Sequence, residues 1–347
     1  MQSLKYYAWL LASALTFGVS SAIAVPHTLP SELAAPGSPV LVPKIGGDVF
    51  GEGVIADWDG TIYNNQMGTN NRTMQLKVGQ DTSKPWRTAK DAPNGMWLDT
   101  KNRIVICQTR AMVRVKAGSP WDGMTDTLYK YPAGTGQDFN DVTGDSKDNL
   151  YFTNYQGRSV YYLDGETGQT KVVLSGRPFP NGIEWDEERN VVYVAENETG
   201  KVAAYTVAGD HTLVNRKEFA TVAGSDGTVI DELGNLYVVS GGVSAMVFKP
   251  DGTKLGEIPI PNVQFTNLAF GGADFKTLYM IGNKGLYKLP MKVKGYKTGA
   301  PVVSIGRRSA KPLIYREAQT YVYLLDGRHL SWDQQDRPLA PFQFVKP

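Results

Sequence analysis

A polar residue stands at the head of a short apolar run six times along this 347-residue chain, always at nearly the same spacing. The six segments are Gly51-Glu52-Gly53, Pro93-Asn94-Gly95, Phe139-Asn140-Asp141, Pro180-Asn181-Gly182, Ser225-Asp226-Gly227 and Thr266-Asn267-Leu268. With the middle residue of each taken as an anchor, successive spacings are 42, 46, 41, 45 and 41 residues. Five residues past the anchor stands Asp57, Asp99, Asp145, Asp186 or Asp231, with Gly272 in the sixth repeat. Eleven or twelve residues past it stands Tyr63, Tyr151, Tyr193, Tyr237 or Tyr279, with Val105 in the second. Turn formers such as Trp58-Asp59-Gly60 and Leu233-Gly234-Asn235 lie between the two. Periods of this length belong to solenoids, propellers and arrays. Three or four short strands per repeat of about 43 residues make one propeller blade. The chain is therefore expected to be all-β, a six-bladed β-propeller. A β-sandwich would share the frequent turns but gives no reason for a polar anchor recurring in phase.

The propeller is expected over residues 41–300. Ahead of it, Lys5, an apolar run from Tyr6 to about Val19, and Ala22 and Ala24 in an A-x-A pattern predict a signal peptide over residues 1–24. An exported protein, periplasmic or secreted, follows, with no membrane association after cleavage, since no later stretch is long and apolar enough to span a bilayer. Residues 25–40, with Pro26, Pro30, Pro36 and Pro39, read as an extended lead-in. Closing the ring requires a strand from one terminus to pair with the blade at the other. Pro39-Val40-Leu41-Val42-Pro43 and the tail after Pro301 are the two candidates. Residues 301–347 form a C-terminal extension without an assigned role, in which Pro312-Leu313-Ile314-Tyr315 and Tyr321-Val322-Tyr323-Leu324-Leu325 suit edge strands.

Charge and composition exclude several functions. A net charge of +2 with no basic block argues against nucleic acid as a partner. The single Cys107 rules out an internal disulfide framework. His27, His211 and His329 are too scattered for a zinc cluster by spacing.

In a propeller the first strand of each blade lines the central channel, and all first strands run parallel, so the anchors meet at one mouth. The expected ring is Glu52, Asn94, Asn140, Asn181, Asp226 and Asn267, all carboxylates or amides. The aspartates five residues on lie roughly 16 Å away at 3.3 Å per strand residue. At that far end, capping a turn is their expected role. Asn-Gly and Asp-Gly pairs are turn formers too, which is the alternative reading of the anchors. It does not explain Glu52. Carboxylates facing one another in a narrow channel repel unless a cation neutralises them. Oxygen donors without His or Cys suit a hard ion, Ca²⁺ first, with Mg²⁺, Mn²⁺ or Zn²⁺ as alternatives.

These segments, together with Ile183-Glu184-Trp185, Thr228-Val229-Ile230-Asp231 and Gly234-Asn235-Leu236-Tyr237-Val238, resemble the senescence-marker, gluconolactonase and luciferin-regenerating-enzyme family of six-bladed propellers, of which regucalcin is the animal member. The resemblance covers roughly residues 45–290. It implies that Glu52, Asn181 and Asp226 hold the metal and that Asn140 contacts substrate or a metal-bound water. Animal members carry an arginine two residues before that asparagine; here the residue is Asp138.

The implied reaction is hydrolysis of a small lactone, with the metal polarising the carbonyl and activating water. Asp226 is the candidate general base, and Asn140, Asn94 and Asn267 are candidates for substrate binding. No G-x-S-x-G elbow points to a serine nucleophile. Two alternatives stay open: a non-catalytic propeller that binds a ligand or partner around a structural metal, and a strictosidine-synthase-like or phosphotriesterase-like enzyme. Substrate choice is expected in residues 66–86, 118–138 and 154–158, the first of them a possible lid. Trp58, Trp97 and Trp185 are expected between blades, and Cys107 in the core. Asn71-Arg72-Thr73 and Asn197-Glu198-Thr199 fit glycosylation sequons.

Overall fold

The computed structural model describes residues 25–43, 50–68, 71–89, 91–117, 125–130 and 139–296, with two short strands at Val322–Tyr323 and His329–Leu330. Residues 1–24, and with them the expected signal peptide, lie outside the described residues.

After a two-residue strand, β1 (Val40–Leu41), each repeat folds into an antiparallel meander. The first is β2 (Phe50–Ala56), β3 (Ile62–Met67), β4 (Arg72–Leu76) and β5 (Lys84–Thr88). The second is β6 (Pro93–Leu98), β7 (Arg103–Gln108), β8 (Ala111–Lys116) and β9 (Thr125–Lys130). The third is β10 (Phe139–Gly144), β11 (Leu150–Asn154), β12 (Ser159–Leu163) and β13 (Thr170–Leu174). The fourth is β14 (Pro180–Asp186), β15 (Val191–Glu196), β16 (Lys201–Val207) and β17 (Leu213–Thr221). The fifth is β18 (Thr228–Ile230), β19 (Leu236–Ser240), β20 (Ser244–Phe248) and β21 (Lys254–Pro259). The sixth holds β22 (Phe265–Gly271), β23 (Thr277–Gly282) and β24 (Gly285–Pro290), with β1 as its outermost strand. The first strands touch in cyclic order, β2 to β6, β10, β14, β18, β22 and back to β2, so the ring is closed. This is the six-bladed propeller that the repeat predicts.

Of the two candidate closures, the N-terminal one is used. Val40 pairs with Lys288 and Leu41 with Tyr287. The Val42 amide donates to the Leu286 carbonyl at 2.7 Å, and its side chain is buried. The lead-in is more than an extended arm. A turn at residues 31–33 drives Leu29, Leu33 and Ala34 into the core of the fifth and sixth blades. Residues 66–86 also differ from the expectation: they supply the end of β3, all of β4 and part of β5, so they are blade rather than lid. A separate unit begins at Val303. Its described part is the antiparallel pair β25 (Val322–Tyr323) and β26 (His329–Leu330), while residues 312–315 lie outside the described residues.

The second half of the repeat explains itself as turn chemistry. The Asp57 carboxylate accepts from the amides of Asp59 and Thr61 and from the Tyr63 hydroxyl. Asp231 does the same with Leu233, Asn235 and Tyr237. The aspartate closes the turn between the first two strands, and the buried tyrosine ring beneath it packs between blades. Tyr63, Tyr151, Tyr193 and Tyr237 are all buried. Trp97, Trp185 and Cys107 lie in the core as expected, and Trp58 packs against it.

Candidate functional site

The anchor end of the propeller is set by chain direction. β10 starts there at Phe139, and so do the β11–β12 and β15–β16 turns and the loops that lead into β14 and β18. Five of the six first strands slip register at the anchor: between Glu52 and Val54, Pro93 and Met96, Phe139 and Val142, Pro180 and Ile183, and Phe265 and Asn267. Each slip is a bulge, which breaks the alternation of faces and re-aims side chains. In the fifth blade Asp226 instead precedes β18, its amide donating to the Val239 carbonyl at 3.1 Å.

Bonds between blades hold this ring of bulges. Asn65 Nδ2 donates to the Asn94 carbonyl at 2.5 Å, Thr153 Oγ1 to the Asn181 carbonyl at 2.7 Å, and Thr266 Oγ1 to the Gly51 carbonyl at 2.8 Å. Glycine follows the anchor in four repeats because the neighbouring blade is in the way. Gly53 has a φ of +45°, and a Cβ there would lie 2.1 Å from the Asn94 carbonyl oxygen.

In the third blade that position is Asp141, a residue the sequence reading did not select. Its carboxylate fills the space that Gly95 leaves, since a Cβ on Gly95 would lie 2.1 Å from Asp141 Oδ1. Asp141 Oδ1 accepts from the Val142 amide at 2.9 Å, and Oδ2 faces Asn267 Nδ2 at 3.5 Å. Burial raises its pKa to about 7. Glu52 is pushed well above the ordinary carboxylate range, first by desolvation and then by the charges of Asp226 and Asp141. Desolvation and then Asp141 do the same to Asp226. The fold thus brings Glu52, Asp141 and Asp226 into one another's field. Among the described residues, none of the three has a basic partner.

The other anchors surround them. Asn181 is buried, and its Oδ1 has no hydrogen-bond partner. Asn267 is buried with its Oδ1 on the Leu268 amide at 2.8 Å. Asn94 and Asn140 are half-buried at the mouth. Beneath the ring runs a cavity of about 40 Å³, with Asp141, Thr143, Glu184, Thr228 and Asn267 in its wall together with Phe275 and Tyr296. Glu184 is a second buried carboxyl that sequence reasoning missed, raised to about 8 by burial and then by Asp141.

The sequence signature described as the SMP-30/Gluconolactonase/LRE-like region matches residues 50–283. The chain belongs to this family. It is 28% identical over 152 residues to the pentonolactonase XacC of Haloferax volcanii, covering 41% of this chain and 52% of that relative. The chain thus spans about half the length of that curated relative. The gluconolactonase XC5397 of Xanthomonas campestris superposes with a TM-score of 0.67 at 22% identity, over 80% of this chain and 99% of that one. Regucalcin of Agrobacterium tumefaciens, described as a calcium-binding protein, superposes at 0.63 with 15% identity, over 76% of this chain and 100% of that one.

Glu52, Asp141 and Asp226 in one another's field, with no basic partner among the described residues, pose the question of a divalent ion on the chemistry of the site itself. Among the described residues, no group of three or more His, Cys, Asp and Glu side chains is arranged to hold one. The candidate set mixes carboxylate and amide oxygens. An Asn181 Oδ1 without a hydrogen-bond partner, and Glu52 and Asp226 without a basic partner among the described residues, are oxygen donors of the kind a hard cation takes.

Proposed function

We propose that this chain hydrolyses a small lactone, using Glu52, Asn181 and Asp226 to hold a divalent cation, Ca²⁺ first. The observation that carries the proposal is that Glu52, Asp141 and Asp226 lie in one another's field, while Asn181, in the blade between those of Asp141 and Asp226, has a buried amide oxygen without a partner. A bound cation supplies Lewis acidity toward the lactone carbonyl. Asp226 accepts a proton from the attacking water as its oxygen bonds to the acyl carbon. Collapse of the tetrahedral intermediate breaks the ring C–O bond, and the departing alkoxide takes that proton from Asp226 to give the hydroxy acid, which returns Asp226 to its carboxylate form. Asn140 and Asn94, half-buried at the mouth, orient ring substituents, and Asn267 holds Asp141 in place. The proposal includes export of the mature protein, on the strength of the N-terminal segment.

The test is a panel of five- and six-membered lactones assayed by proton release, with added calcium and with excess chelator. Hydrolysis that chelator abolishes and calcium restores is the expected result. No turnover of any lactone by calcium-loaded protein would leave a binding propeller as the reading.

A further inference from the structure

We propose that Glu184 is a positioning residue for this site. With Thr143 and Thr228 it forms a hydrogen-bonding step one layer beneath the anchors, which steadies the Asp141 carboxylate from below and, through it, the cation. The inference deepens the reading above and rests on its cation site.

The step follows from the direction of the strands. β10 enters at the anchor end, so Thr143, two residues after Asp141, lies roughly 7 Å deeper along the strand. Thr143 Oγ1 donates to Glu184 Oε1 at 3.3 Å. The Trp185 amide is shared between the two, 3.1 Å from Thr143 Oγ1 and 3.3 Å from Glu184 Oε1. One residue earlier on β14, the Ile183 amide donates to the Asp141 carboxylate. Glu184 is thereby fixed beside the strand position that touches Asp141, at the level of Thr143.

The channel wall is divided at this level. β10, β14 and β18 bring Asp141, Thr143, Glu184 and Thr228 to the cavity, whereas β2 and β6 bring apolar side chains. Thr228 Oγ1 is buried there without a hydrogen-bond partner. A cavity of about 40 Å³ has room for about three waters, and a buried water takes about two to four polar partners. Thr228, Glu184 and Asp141 are such partners on three successive blades. An ordered water among them relays the O–H of Glu184 to the Asp141 carboxylate.

Charge decides which way the hydrogen bonds run. Burial first, and then the Asp141 charge, favour a protonated Glu184, and Asp186 on its own strand acts in the same sense. Tyr296, also in the cavity wall, is pushed up to about 12 and stays neutral. Among the described residues, no Lys or Arg lines the cavity. A neutral Glu184 offers its O–H to an ionised Asp141, whereas an ionised Glu184 would repel it. Asp141 is the anchor-level charge that Glu184 feels. A cation at the anchors keeps Asp141 ionised and so leaves the arrangement intact.

The experiment is a calorimetric titration with calcium at pH 7, on wild type, Glu184→Leu, Glu184→Gln and Thr228→Val. Leucine removes the donor and keeps the bulk in a channel that is apolar on its other side. Glu184→Leu should bind calcium about 10-fold more weakly or worse, the size of one lost hydrogen bond to a charged group. Glu184→Gln keeps a neutral donor and should stay close to wild type. A merely structural role would be served as well by leucine as by glutamine, or would show as unfolding. Rescue by glutamine alone, among variants that all melt cooperatively, therefore marks positioning. Thr228→Val removes the partnerless hydroxyl at constant shape and should weaken binding in the same direction; it decides alone should Glu184→Leu fold poorly. Unchanged affinity in the folded variants of Glu184→Leu and Thr228→Val, or glutamine as weak as leucine, overturns the inference. A wild type that binds calcium and hydrolyses no lactone removes the catalytic reading and leaves this one standing. Should the wild type bind no calcium, the cation reading falls instead, and the step is read from the titration of Asp141 by carboxyl carbon NMR. A rise of about one pH unit or more in Glu184→Leu then supports the step, and equal titration overturns it.

Discussion

Replacing Glu184 by glutamine should make the cation-free protein more stable above neutral pH and leave it almost unchanged in acid. Glu184 is 6% exposed in the channel, and its Oε1 accepts from Thr143 Oγ1 and from the Trp185 amide, each at 3.3 Å. Burial first and the Asp141 charge second raise its pKa from 4.5 to about 8. Between those two values the folded protein keeps a proton that the unfolded chain has released. Stability from this group is therefore fully present below about 4.5, falls as pH rises through the window, and is lost above about 8. At about 1.4 kcal/mol per pH unit the loss is on the order of 5 kcal/mol. Glutamine keeps the acceptor oxygen and has nothing to ionise. Titrating groups that do not interact with Glu184 cancel in the difference; Asp141, raised to about 7, does interact, and losing its repulsion with an ionised Glu184 adds to the same upward trend. Urea denaturation in chelator at pH 4.5 and pH 9 should show the advantage of Glu184→Gln growing from near zero to about 3–5 kcal/mol. An advantage that is flat with pH, or that shrinks as pH rises, would refute the reasoning.

Three further perturbations test the architecture. Gly95→Ala would place a Cβ 2.1 Å from Asp141 Oδ1 and 2.6 Å from its Cα, so we expect about 1–3 kcal/mol of destabilisation by thermal melting and a loss of turnover. Leu33→Ala should cost about 2–5 kcal/mol in urea denaturation, because the side chain is 2% exposed in the core of the last two blades. A cost within about 0.5 kcal/mol would mean that the lead-in is not part of the fold. Asp231→Ala removes the acceptor for two amides and two side chains at the far end; stability should drop by about 1–3 kcal/mol with the KM of the folded protein unaltered.

The blade count, the six anchors and the turn aspartates were legible in the sequence because each is a local signal repeated in phase. A turn needs its aspartate, and Asp57 and Asp231 do what that residue type does in any chain. What the sequence concealed depends on contacts between blades. Asp141 stands next to a selected anchor, and alternation along a strand would send it to the opposite face. The bulge between Phe139 and Val142 overrides that alternation. The trace in the sequence was an acid where four other repeats have glycine. Glu184 was hidden because a lone carboxylate in an apolar strand gives no hint that Thr143 of the neighbouring blade awaits it. Residues 66–86 read as an insertion because polar residues punctuate the stretch, Arg72 and Gln75 in β4, Lys77 and Asp81 in the turn after it, and Lys84 in β5. Those strands lie towards the rim of their blade, where one face meets water.

The most direct test of a shared cation among the blade starts is its stoichiometry. Elemental analysis after dialysis against calcium should find one ion per chain in the wild type and none in Glu52→Gln or Asp226→Asn, with both variants folded. A wild type that binds no calcium, or variants that retain a full equivalent, would contradict the account.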